Sequence, residues 1–221
     1  CALPILGKNP AVAREAYELG KRLPSTTTVA SLLAAGYKLN GLLFEGSELV
    51  VCYKGEAVHV LKSLRDDEAM RARVFHEACS AAADVPSIPH ITPFELVDTA
   101  GGKHFMIMPK FSTDLEPLPY LSASGVAMVW EHMRQALEGL HAKGFAHADV
   151  KPANICLTEG GLSAVLIDLG SVARLGEPTS STSAYVPRDM GRGRARILLD
   201  WWMFAMTLAE KGCGKDHGLV I

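Results

Sequence analysis

The sequence has no apolar run long enough to cross a bilayer, and no CxxC pair among its five cysteines (Cys1, Cys52, Cys79, Cys156 and Cys213). The first absence excludes a helical membrane span. The second argues against a disulfide framework and for a reducing, intracellular compartment, with the cytoplasm as the default. Lys and Arg number 22 against 24 Asp and Glu, a net charge of -2. That balance lacks the broad basic excess which a nucleic-acid surface needs. Aromatics make up only 7% of the residues. Neither an internal repeat nor a low-complexity tract is present. The amino end lacks an initiating methionine and a charged-then-apolar leader, and the carboxyl end, Gly218-Leu-Val-Ile221, is apolar. Both ends are expected to be cuts, so targeting carries no argument.

What is present is ordinary globular material: 48% apolar and 21% charged residues, with 20 glycines that imply many turns. Residues 11–22 and 27–35 fit short helices, the second ended by Gly36. Ser47 to Tyr53 and Ala57 to Lys62 read as strands joined by a turn at Lys54-Gly55-Glu56. Residues 66–83 are helical in composition, until Pro86 and Pro89 break the run. Phe94 to Asp98 and His104 to Met108 make a second strand pair. Further on, Val126, Val129, Trp130, Met133, Leu137 and Leu140 recur at three- and four-residue spacing, one apolar stripe of a helix closed by Lys143-Gly144. Short strands follow at Ile155 to Leu157 and Ala164 to Ile167, then a Ser/Thr/Pro/Gly-rich loop from Gly170 to Gly193. Leu198 to Glu210 is apolar almost throughout, as in a helix buried on most sides. The tract Phe111 to Leu121 joins the sheet-rich and helix-rich regions.

The most informative stretch is His147-Ala-Asp149-Val-Lys151-Pro-Ala-Asn154, followed by Ile167-Asp168-Leu-Gly170. These residues resemble the HRDxKPxN and DFG motifs of the eukaryotic protein-kinase family, and Asp200-Trp-Trp resembles the start of its DxWxxG helix. The resemblance covers roughly residues 39–210 and implies an α+β, bilobal protein-kinase-like fold. The expected lobes are a helical extension over 1–38, a small antiparallel-sheet lobe with one main helix over 39–110, and a mainly helical, abbreviated larger lobe over 111–221. It also implies ATP and Mg2+ as cofactors and phosphoryl transfer to a serine or threonine hydroxyl of a protein. Such chemistry is mostly positioning and charge neutralisation. By the resemblance Asp149 is the base and Lys151 contacts the transferred phosphate. Asn154 and Asp168 offer oxygen to magnesium, a hard cation. Ala57-Val-His-Val-Leu-Lys62 is similar to the VAIK strand, so Lys62 pairs with the phosphates and Glu77, or alternatively Glu68, holds Lys62. Val50, Val60, Met108, Pro109, Phe111 and Leu157 line the adenine site, and Gly46 belongs to the phosphate loop.

The chain also departs from the family pattern. Only Gly46 stands in the glycine-loop region, beside Glu45 and Glu48, so fewer backbone N-H groups can approach a triphosphate. Ala148 replaces the HRD arginine, which argues against control by activation-loop phosphorylation. Leu169 replaces the DFG phenylalanine. Thr182-Ser-Ala-Tyr185 resembles the segment before the APE motif, but the motif itself has become Val186-Pro187-Arg188. Arg188, Arg192, Arg194 and Arg196 form a basic patch suited to an acidic substrate or partner. Two alternatives stand beside the serine/threonine kinase: a catalytically silent pseudokinase that binds or activates a partner, and a small-molecule kinase. A partner chain on the abbreviated large lobe or on the N-terminal extension is expected.

Overall fold

A computed structural model of the chain describes residues 32–34, 36–42, 49–80, 88–99, 102–188, 190 and 193–213. The expectations for residues 11–22, Gly46, Arg192 and the carboxyl end lie outside these. The chain divides into two units, one comprising the chain up to Ala69 with Pro93–Lys110, the other Met70–Thr92 with Phe111 onward.

The first unit is a five-stranded antiparallel sheet in the order β1-β2-β3-β5-β4. Its strands are β1 (Lys38–Leu42), β2 (Val50–Lys54), β3 (Ala57–Leu64), β4 (Glu95–Asp98) and β5 (His104–Pro109). The turn between β2 and β3 takes Gly55 to φ +64, a left-handed conformation open to glycine without steric cost. One sheet face carries Val50, Cys52, Leu61, Phe105 and Ile107, which pack with Leu32 and Tyr37 into a buried cluster. Residues 32–34 end in a Schellman motif: the Tyr37 N-H donates to Leu32 O (3.1 Å) and the Gly36 N-H to Leu33 O (3.0 Å), with Gly36 at φ +87. Gly36→Ala is therefore expected to destabilise this unit by about 1–2 kcal/mol, read as a lower denaturant midpoint at unchanged slope.

Helix α1 (Asp66–Ser80) opens with three acidic residues, favourable at a helix N-terminus. The Glu68 carboxylate accepts the Arg65 backbone N-H (2.9 Å), half of a capping box, and also the Arg65 guanidinium (3.2 Å).

In the second unit, α2 (Ala123–Ala142) is capped by Ser122, whose hydroxyl accepts the Gly125 N-H at 3.1 Å. Its stripe of Val129, Met133, Ala136, Leu137 and Leu140 is buried, as the spacing predicts. Helix α3 (Ile197–Cys213) packs against it, with the Trp130 and Phe204 rings stacked at 5.7 Å. Two small sheets hold the intervening loops: β6 (Thr113–Asp114), β8 (Ile155–Leu157) and β9 (Ala164–Leu166) in one, β7 (Phe145–Ala146) and β10 (Ala173–Arg174) in the other. Strands β1, β6, β7 and β10 are additions to the sequence reading. The last three have two residues each, too few for a periodicity to show.

A stacked histidine pair braces β9. The His90 and His132 rings lie 3.9 Å apart and nearly parallel (11°). His132 Nδ1 accepts the Ala164 N-H (3.0 Å), which requires the neutral imidazole. Burial, then the neighbouring His90, lowers the His132 pKa. A depressed histidine pKa means that the unfolded chain binds the proton more readily. Stability of this unit should thus fall as pH drops below about 6.5, the ordinary histidine value. Replacing His132 with Gln should flatten that slope in a pH series of thermal melts.

Candidate active site

The segment 147–154 is held by Asp200 of α3 and by the backbone of Ile167, which follows β9. Asp200, in the first turn of α3, is fully buried. Its carboxylate accepts the backbone N-H groups of His147 (2.8 Å) and Ala148 (2.7 Å) and a hydrogen bond from His141 Nε2 (2.9 Å). Ala148 is thereby fixed at φ +65, uncommon for a residue with a Cβ. The His147 ring closes the loop on itself. Its Nδ1 faces the Asp149 N-H (3.3 Å), which makes Nε2 the protonated nitrogen that donates to Ile167 O (2.8 Å).

Asp149 is brought together with Lys151, Asn154 and Thr182. Lys151 Nζ lies 2.8 Å from Asp149 Oδ2 and donates to Thr182 Oγ1 at 2.7 Å. The Asn154 amide donates to Asp149 O (2.8 Å) and to Oδ2 (3.1 Å), and the Thr182 N-H to Oδ1 (2.7 Å). Burial pushes the Asp149 carboxyl up, but hydrogen bonds from Lys151 and Thr182 and the Lys151 charge outweigh it, so its pKa stands below the ordinary value. The group is an ionised carboxylate at neutral pH, with a cation and a hydroxyl within reach.

Asp168 follows β9 in a left-handed conformation, φ +61 and ψ +64. The Ile167 N-H donates to Asn154 O (2.9 Å), so Asn154 and Asp168 leave neighbouring points of the backbone. No group of three His, Cys, Asp or Glu suited to a metal stands among the described residues. An Asn–Asp pair offers amide and carboxylate oxygens, the donor type Mg2+ takes, with phosphates and water as its remaining ligands. With both Asn154 amide hydrogens directed at Asp149, its carbonyl oxygen is the atom left for such a cation. The residues present fit it.

The other sequence candidates are distributed as follows. Lys62 is half-buried on β3, with Val60 on the same sheet face by alternation. Met108 lies opposite Val60 in register and Pro109 opposite His59. Val50 pairs with Leu61 and belongs to the other face, in the cluster with Phe105 and Ile107. Val51, which pairs with Val60, shares the Lys62 face. Adjacent valines hid that distinction from the sequence; register reveals it. Glu77 is exposed on α1, and Glu68 is engaged with Arg65. Phe111 and Leu157 are half-buried in the second unit. Sequence reasoning did not assign the bond of Thr182 to Asp149 or the anchoring by Asp200; the DxW resemblance was the available signal for the latter.

No family model matches the chain. Among curated proteins it is 29% identical to a probable CTD kinase subunit alpha homolog of Encephalitozoon cuniculi, over 68% of this chain and 46% of that protein. It is 42% identical to the serine/threonine-protein kinase VRK1 of Caenorhabditis elegans over 32% of this chain and 13% of that one, and 34% identical to PknD of Mycobacterium tuberculosis over 51% and 17%. The chain spans less than half the length of these relatives. The structure of the Cydia pomonella granulovirus kinase PK-1 superposes with a TM-score of 0.67 at 20% identity, covering 88% of this chain and 72% of that one. The chain is protein-kinase-like in fold, and its likenesses in sequence are to kinases of the serine/threonine subtype.

Proposed function

We propose that the chain transfers the γ-phosphoryl group of ATP, with Mg2+, to a serine or threonine hydroxyl of a protein. The observation that carries this is the Asp149–Lys151–Thr182 cluster: an ionised carboxylate and an ammonium 2.8 Å apart on a loop braced by Asp200. In this reading Asp149 orients the acceptor hydroxyl and takes its proton as the new O–P bond forms and the bond from the γ-phosphorus to the departing ADP breaks. Lys151 places positive charge beside the transferred group. Asn154 and Asp168 would hold the magnesium ion, which supplies charge neutralisation on phosphate oxygens, and Lys62 would meet the nucleotide phosphates. The free thiols of Cys52, Cys79 and Cys156 accord with a reducing compartment. No helix among the described residues is long and apolar enough to cross a membrane.

Acid hydrolysis of a protein labelled from γ-labelled ATP should release phosphoserine or phosphothreonine. Label confined to a small molecule, or to phosphotyrosine, would overturn the assignment. The silent-module reading rests on the sparse glycines of the phosphate-loop region, and predicts folded protein with no transfer.

Arg188, Arg194 and Arg196 are exposed beyond the Thr182–Tyr185 segment, and Arg194 is also bonded to Gly176 O. They favour acidic residues near the acceptor. The double variant Arg188→Ala with Arg196→Ala is expected to raise KM for an acidic peptide about three- to tenfold and leave a neutral peptide unchanged.

A further inference from the structure

The last turn of α3 holds a buried charge that the proposed chemistry does not use. Lys211 is 1% exposed. Its ammonium donates to Glu116 O (2.9 Å) and Leu118 O (3.0 Å) and lies 3.4 Å from Glu210 Oε1. Two carbonyl acceptors and a neighbouring carboxylate supply the partners that a buried ammonium needs. The Lys211 carbonyl also accepts the Leu121 N-H at 2.7 Å, so this one residue fastens the strip 116–121 from two sides. Just before that strip, the Leu115 N-H reaches Pro152 O (3.2 Å) and Ile155 O (3.0 Å), which joins it to the catalytic loop 147–154.

The other oxygen of Glu210 accepts the Tyr185 hydroxyl at 2.8 Å. Tyr185 lies in the turn whose N-H donates to Thr182 O (3.0 Å), and Thr182 in turn contacts Asp149 through its own N-H. Consecutive residues on a helix point in different directions. Glu210 and Lys211 nevertheless meet in the last turn of α3, the first bonded to Tyr185 and the second to the carbonyls of Glu116 and Leu118. The end of α3 thus touches two flanks of the catalytic loop, the strip 116–121 and the segment 182–186.

We infer that Lys211 is a positioning residue: it holds the Glu210 carboxylate on Tyr185 and so sets the segment 182–186, which would present the protein acceptor to Asp149. Burial and Glu210 raise the Tyr185 pKa, so the phenol remains a donor across the working range. The inference about the acceptor rests on the kinase reading. The coupling of Lys211 to the segment does not.

The test is therefore made first without activity. Hydrogen exchange is followed at the amides of Thr182, Tyr185 and Val186 in the full chain, its Lys211→Met variant, its Tyr185→Phe variant and the double variant. Methionine keeps the length of the side chain and removes the charge. Lys211→Met should speed exchange at the three amides about tenfold or more and leave the Leu166 and Ile167 amides unchanged. Adding Tyr185→Phe should do little more, since both act through one chain of bonds. Unchanged exchange in Lys211→Met, additive effects, or equal acceleration at all amides would overturn the coupling. Tyr185→Phe alone keeps the test alive should Lys211→Met fail to fold: without faster exchange at Thr182 and Val186 there, the inference falls. Where transfer is measurable, Lys211→Met should raise KM for the protein acceptor about tenfold, with kcat and the KM for ATP within about twofold. A fall in kcat at unchanged KM would contradict the positioning role. A protein with no transfer at all but the expected exchange pattern would refute the kinase reading and leave the coupling standing.

Discussion

Replacing Asp200 with alanine is expected to destabilise the second unit by roughly 3–5 kcal/mol and to abolish any activity of the catalytic loop. The His147 and Ala148 N-H groups and His141 Nε2 would lose their acceptor in a site with no exposure. Each buried donor left unsatisfied costs about 1–3 kcal/mol. In a domain of this size that amounts to a loss in Tm on the order of 10 °C. Ala148 is held at positive φ by this acceptor. Without it the loop can relax, and Asp149 moves with it. Asp200→Asn should be intermediate, because an amide keeps one acceptor but turns its N-H2 towards a donor. A melt of Asp200→Ala superimposable on the wild type would contradict the anchoring role.

The second large effect is expected at Lys151. Removing its charge by Lys151→Met should lower the transfer rate by about 10²–10³, the scale of losing one preorganised electrostatic contact. It should also move the acid limb of the pH–rate profile. Burial raises the Asp149 pKa, and Lys151 and Thr182 more than cancel it. Without Lys151 two of the lowering contributions are lost, the pKa rises, and the base is lost to protonation at higher pH. The wild type should keep its base ionised through the neutral range. Its stability contribution from Asp149 is present above about pH 4, the unfolded carboxylate value, and is lost as pH falls through the depressed folded value. An acid limb that stays in place in Lys151→Met would show that the lysine does not set the state of Asp149.

How far the sequence revealed this site depends on distance along the chain. Asp149, Lys151 and Asn154 lie within one short loop, so their spacing alone puts them together, and the structure joins all three by hydrogen bonds. The stripe of α2 was equally local. Asp200 was visible through its likeness to the DxWxxG helix, but its anchoring bonds were not, because its partners stand 52 and 53 residues earlier and only folding brings them near. Thr182 is a similar case, bonded to Asp149 across a loop without periodicity. On β2 the sequence reading chose Val50 where register puts Val51 on the Lys62 face, since two adjacent valines carry no alternation. Lys211 was not singled out in the sequence, because its burial depends on the carbonyls of Glu116 and Leu118, far upstream.

The most direct test of the central claim is transfer of labelled phosphate from γ-labelled ATP with Mg2+ to a protein acceptor, by the wild type beside Asp149→Asn. Asparagine keeps the size of the side chain and removes its capacity to take a proton. Incorporation by the wild type that falls about 10²–10⁴-fold in the variant is the predicted result. Equal incorporation by both proteins, or none by a folded, MgATP-saturated wild type, would contradict the assignment of Asp149 as the base of a working phosphotransferase.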